Sequence, residues 1–282
     1  MKWQGRRGSR NIEDRRRMSG GARAGGIGGL GLVAVVVIGL FLGVDVSPFL
    51  QGAGGVQQGG SSTITAADEE RAQFVSVVLA DTEEIWTDIF ARQVGQPYDP
   101  ATLVLFKGVT QSPCGGASGA TGPFYCPGDQ KAYLDTDFFV TMQRKLGAGG
   151  DFAAAYVVAH EIAHHVQNEL GILGQANQIR AQTSEAQSNA ISVRIELQAD
   201  CYSGIWARHV GDRFGALEQG DIAEAMNAAR QIGDDTLQSN AGRVPQPHTF
   251  THGTSQQRQT WFATGYESGD IRACDTFSAN AL

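Results

Sequence analysis

Apolar residues recur at helical spacing over residues 68–93, where Phe74, Val77, Val78, Ile85, Trp86 and Ile89 fall along one side. The pattern predicts an amphipathic helix opened by acidic residues, which suit a helix N-terminus. A short apolar run at 101–108 predicts a strand, and "KAYLDTDFF" at 131–139 predicts a strand leading into a helix at 138–146. After the break "GAGG" at 147–150, a helix is expected from Asp151 to Leu170, with Asp151 as its N-cap. Residues 171–183 read as a polar connection, partly helical. Further helices are expected over 184–210, 221–232 and 255–269, the last capped by Thr254 or Ser255. The stretch 234–253, with Pro245, Pro247 and Gly253, reads as a loop. Helix dominates with a minor sheet, so the class is α+β.

One segment breaks the amphipathic pattern. Residues 24–44, "AGGIGGLGLVAVVVIGLFLGV", carry no charged or strongly polar side chain. At 1.5 Å per residue a helix of that length reaches roughly 30 Å, the thickness of a bilayer core. Residues 1–24 hold eight basic side chains against Glu13 and Asp14, and Asp45 closely follows the run. The asymmetry predicts a basic cytoplasmic tail (1–23), a single transmembrane anchor (24–44), a Gly/Gln/Ser-rich linker (45–66) and an extracytoplasmic domain (67–282). The competing reading is a cleaved signal peptide. The run is long for that, and no A-x-A site directly follows it.

The whole chain of 282 residues carries a net charge of −7, so the part after the +6 basic segment carries −13. An acidic body is a poor partner for nucleic acid, whose affinity rests on phosphate neutralisation. All four cysteines (Cys114, Cys126, Cys201, Cys274) lie beyond the apolar run, and an exported domain permits disulfides. Cys114 and Cys126 bracket a glycine-rich loop that closes easily, which leaves Cys201 to staple a helix to the C-terminal tail through Cys274. Four cysteines allow three connectivities, and all stay open at this level.

Candidate chemistry centres on "AHEIAHHVQN", residues 159–168. His160 and His164 are four apart, so a helix puts them on one face, where both can reach one ion. Glu161, beside the first, is placed to reach a metal-bound water. A catalytic zinc needs a third protein ligand. Glu196 in "IELQAD", 32 residues after His164, is the candidate. Asp200, one turn later, could orient a ligand histidine. A solvated helix face is the bland alternative for both carboxylates. His165 points about 100° away from His164 and reads as a core or supporting histidine. His252, and with less support His248, are candidates for a donor to an oxyanion, against an incidental pair on a surface loop. Arg258 reads as a structural salt bridge, and His209 as a capping or surface residue.

H-E-x-x-H followed on a later helix by E-x-x-A-D resembles the gluzincin metallopeptidases. "GPFYCPGDQKAYLDTDFF", "VVAHEIAHHVQ", "ELQADCYSGIWA" and "HGTSQQRQTWFATGY" are similar to the bacterial neutral zinc metallopeptidase family. The resemblance implies a zincin-like fold, Zn2+ held by His160, His164 and Glu196, and Glu161 as general base. By the same analogy "KAYLD" is the edge strand along which a protein or peptide substrate lies. The function this implies is a membrane-anchored zinc endopeptidase. Two alternatives stand beside it: a degenerate, metal-binding scaffold on the same anchor, and a zinc hydrolase acting on a non-peptide amide. Oligomeric state is not readable.

Overall fold

The computed structural model describes residues 1–18, 64–118, 122–279 and 282. The expected anchor at 24–44 and nearly all of the expected linker lie outside these residues. Among the described residues, no helix is long and apolar enough to cross a membrane.

Helix α1 (Ala66–Ile89) starts where the polar stretch ends. Thr65 and Asp68 close a capping box, and the side chain of each accepts the other's backbone N–H. Its apolar side, including the six residues expected there, is buried. A π turn, Phe90–Val94, ends it. The sheet is built from β1 (Ile12–Asp14), β2 (Thr102–Phe106), β5 (Phe124–Cys126) and β6 (Lys131–Asp135), in the order β1-β2-β6-β5. β1, β2 and β6 run parallel, and β5 is antiparallel to β6. A separate hairpin, β3 (Val109–Ser112) and β4 (Gly115–Ser118), projects between them, and the Cys114–Cys126 disulfide ties its turn to β5.

Two expectations change here. "KAYLD" is β6, an interior strand flanked by β2 and β5, so among the described residues the edge strands are β1 and β5. The segment read as a basic cytoplasmic tail (1–23) is folded against the domain over residues 1–18: β1 extends the sheet, and Met1 and Trp3 are buried in the main core. Its charges no longer mark it as a solvated arm, because the domain supplies carboxylates to meet them.

The helices follow: α2 (Phe138–Lys145), α3 (Asp151–Glu169), α4 (Ile172–Arg180), α5 (Glu185–Phe214), α6 (Asp221–Gln231), α7 (Asp234–Asn240) and α8 (Ser255–Ser268). α3 is the central element, packed against α1, α5 and α6 and buried on almost every side. Its small residues Ala153, Ala154, Ala155, Ala159 and Ala163 let those neighbours approach. Its N-cap is Gly150 rather than Asp151. The Phe152 N–H donates instead to Glu224 of α6 at 3.0 Å, and the Asp151 carboxylate takes the Met1 amino nitrogen at 2.7 Å. The expected loop at 234–253 contains α7, whose seven residues include one apolar side chain, Leu237, and so carry no apolar periodicity to announce it.

α5 and α8 cross closely because each has a glycine at the contact. A Cβ on Gly204 would lie 2.0 Å from the Phe262 carbonyl oxygen, and one on Gly265 would lie 1.8 Å from that of Cys201. The Cys201–Cys274 disulfide closes the same region, joining α5 to the C-terminal segment. Gly265→Ala therefore forces the helices apart. The expected loss is about 1–3 kcal/mol despite alanine's better helix propensity, read as a lower urea midpoint at unchanged m-value.

Candidate functional site

α3 presents His160 and His164 one turn apart, and the antiparallel neighbour α5 presents Glu196 opposite them. The Nε2 of His160 is 3.0 Å from one Glu196 carboxylate oxygen, and the Nε2 of His164 is 3.5 Å from the other. These donor atoms all lie within 4.8 Å of one another. Tetrahedral ligands about 2.0–2.1 Å from a zinc ion are roughly 3.4 Å apart, so the spacing suits one ion.

The partners on the far side of each ring settle which nitrogen is free. His160 Nδ1 lies 3.0 Å from Asp200, an obligate acceptor at its ordinary charge, so Nδ1 carries the proton. His164 Nδ1 lies 2.8 Å from Gln167 Oε1. Gln167 is held in that orientation because its Nε2 donates to the Ile195 carbonyl and to Gln198. Both Nε2 atoms therefore face the Glu196 carboxylate, and the Nε2 of His160 donates to it when that ring is charged. A metal ion can take the place of that proton, and two imidazoles with a carboxylate are a zinc donor set.

Asp200 is fully buried and takes donors from three side chains on two helices. It accepts from Tyr156 and His160 of α3, and the Arg258 guanidinium of α8 reaches it at 2.8 and 2.9 Å. Burial pushes its carboxyl up, but Arg258 and His160 outweigh that and hold it below the usual range. Arg258 is itself only 2% exposed, so the structure assigns it to this ion pair. Burial opposes a charge on His160, yet Asp200 and Glu196 raise it to about 10, which marks the same local demand for positive charge.

Glu161 lines the cleft beside the two histidines. Burial raises its carboxyl above the ordinary value, Glu196 adds to this, and the imidazoles oppose it. Across the cleft stands His252, which reaches it from the loop before α8. Its Nδ1 lies 3.0 Å from the Thr251 hydroxyl and 3.3 Å from Asp234. Burial would lower its pKa, but the Asp234 hydrogen bond and the Glu196 charge raise it. Asp234 also accepts the backbone N–H groups of Thr251, His252 and Gly253, at 2.8, 2.6 and 3.0 Å, and so shapes the loop that carries the ring.

His248 is exposed and outside the cleft. His209 is partly buried near the end of α5. His165 lies between Tyr98 and Tyr125, its Nε2 2.7 Å from the Asp99 carbonyl and its Nδ1 3.1 Å from the Tyr125 hydroxyl. The carbonyl can only accept, so Nε2 carries the proton and the Tyr125 hydroxyl donates to Nδ1. This ties β5 to the helix of the histidine pair. Sequence reasoning missed Gln167, Asp234 and Tyr125. Gln167 sits three residues after His164, a helical spacing that could have drawn attention. Nothing local marks the other two.

A family model described as "Putative neutral zinc metallopeptidase" matches residues 1–277. The chain belongs to this family. It is 46% identical over 286 residues to the uncharacterized protein YpfJ of Escherichia coli, covering 98% of this chain and 99% of that protein. It is 43% identical over 231 residues to uncharacterized proteins of Mycobacterium tuberculosis and Mycobacterium bovis, covering 77% of this chain and 75% of each. No solved structure matches. The match of the neutral zinc metallopeptidase family extends through the folded N-terminal residues as well as the helices that carry the site.

Proposed function

We propose that this protein is a zinc-dependent endopeptidase of zincin-like architecture. The observation that carries the reading is the convergence of the His160 and His164 Nε2 atoms and the Glu196 carboxylate beside Glu161. His160, His164 and Glu196 would hold Zn2+, which when bound supplies a Lewis acid for the scissile carbonyl and lowers the pKa of water.

The chain's own groups do the rest. Glu161, raised by its surroundings toward neutrality, accepts a proton from the attacking water and returns it to the leaving amine. With Nδ1–H turned to Asp234, whose carboxylate favours the charged ring, the protonated His252 offers Nε2–H into the cleft, where the carbonyl oxygen gains charge. Asp200 and Gln167 hold the ligand rings in the required tautomer. The cleft has a volume of about 460 Å³, with Phe138, Leu146, Val157, Ile232 and Leu237 among its lining, and suits a peptide with an apolar residue beside the cleaved bond. Phe124 and Tyr125 of the free-edge strand β5 also line it, so backbone pairing with an extended substrate is available there.

The test is metal analysis of the purified full chain, together with cleavage of an unfolded protein before and after chelation. One zinc per chain and chelator-sensitive cleavage restored by added zinc are expected. Stoichiometric zinc without cleavage of any unfolded substrate would favour the scaffold reading.

The tie between His165 and Tyr125 gives a further expectation. His165→Phe should leave zinc stoichiometry unchanged, since the ring makes no contact with the ligand atoms. It strands the Tyr125 hydroxyl and the Asp99 carbonyl, costing about 1–3 kcal/mol of stability. If β5 receives substrate, KM rises up to about tenfold, equivalent to about 1.4 kcal/mol, while kcat changes little. Unfolding and steady-state kinetics on the same preparation check both.

A further inference from the structure

We propose that residues 1–18 and the metal-site domain lie on the same side of the membrane. A single crossing puts those two parts on opposite faces. The structure joins them into one body. β1 pairs with β2 in parallel, with Ile12, Glu13 and Asp14 opposite Leu103, Val104 and Leu105. Trp3 is 7% exposed and stands edge-on to Phe74 of α1 with ring centroids 5.6 Å apart. Arg6 forms a two-pronged pair with Asp81 at 2.8 and 2.6 Å. Arg16, 5% exposed, donates to Asp14, to Glu69 and to the Asp68 carbonyl.

These contacts also change the meaning of the basic residues. Charge asymmetry orients a membrane segment when the cations are available to be retained on one side. Arg6, Arg15, Arg16 and Arg17 are instead paired with carboxylates, three of them with residues of α1. A second copy cannot supply the segment, because a single crossing puts its residues 1–18 on the same far side. Returning to the starting face takes two crossings, and each needs about 20 apolar residues. Between residues 18 and 64 the chain offers one apolar run of 21, followed by a Gly- and Gln-rich stretch. Residues 1–18 and the domain therefore belong to the same face.

Two experiments on the full chain in its native membranes test this. A Cβ at Gly8 would lie 3.4 Å from that of Ser76, close to the 3.5–4.5 Å typical of a disulfide. The double variant Gly8→Cys, Ser76→Cys should crosslink within one chain under mild oxidation, identified as a linked peptide by mass spectrometry. Separately, single exposed cysteines from Gln4→Cys and Gln256→Cys should react with a membrane-impermeant maleimide from the same side, whichever side that is. Labelling from opposite sides overturns the proposal. So does a mature membrane-bound chain that lacks residues 1–18.

Discussion

Glu161→Gln is expected to lower kcat/KM for an unfolded protein substrate by about 10²–10⁴-fold, the usual contribution of a positioned general base. Glutamine keeps the shape and the cleft contacts but cannot accept a proton at neutral pH. Zinc content should stay at the wild-type level, because the proposed ligand atoms belong to His160, His164 and Glu196. The pairing of the two readouts matters. Loss of cleavage with zinc retained identifies Glu161 as the base. Loss of both assigns it to holding the metal site, and wild-type activity removes it from the mechanism. Metal analysis on the assayed preparation separates the three.

Asp200→Ala should produce the largest effect on the folded state. Arg258 would keep its buried guanidinium with its carboxylate removed, and an unpaired buried charge costs about 3–5 kcal/mol. His160 would lose the acceptor that holds its tautomer, which lowers zinc affinity by about 10–100-fold. A second substitution parts the two consequences. Adding Arg258→Met removes the stranded charge, so much of the stability should return while zinc affinity stays low. Urea unfolding of the metal-free proteins and zinc competition against a chromophoric chelator report these separately. Equal recovery of both would mean that Asp200 acts on the metal site only through stability.

Local pattern reached furthest where the chemistry is itself local. His160, Glu161 and His164 share a helix, and a spacing of four is enough to place two imidazoles on one face. Glu196 and Asp200 were candidates because they share a second helical pattern one turn apart. The structure does bring all of these together on α3 and α5. Gln167 and Asp234 left no comparable mark. A glutamine on a helix and an aspartate in a polar stretch are ordinary, and each matters only through a partner fixed by packing. The free-edge strand was misplaced for a related reason: "KAYLD" alternates like any strand, and its neighbours are set by pairing across the sheet.

By itself the sequence determined the longer helices, the Thr254 cap and a candidate donor set, because periodicity, capping boxes and ligand spacing are properties of neighbouring residues. The tertiary structure decided the ring tautomers, the edge strand, and the place of residues 1–18. Each of these depends on groups far apart in the chain, such as Gln167 with Ile195, β5 with β6, and Trp3 with Phe74. A row of arginines looks like a free cationic arm until the carboxylates that meet it are located in space. Only the packed chain shows that those carboxylates sit on the domain itself.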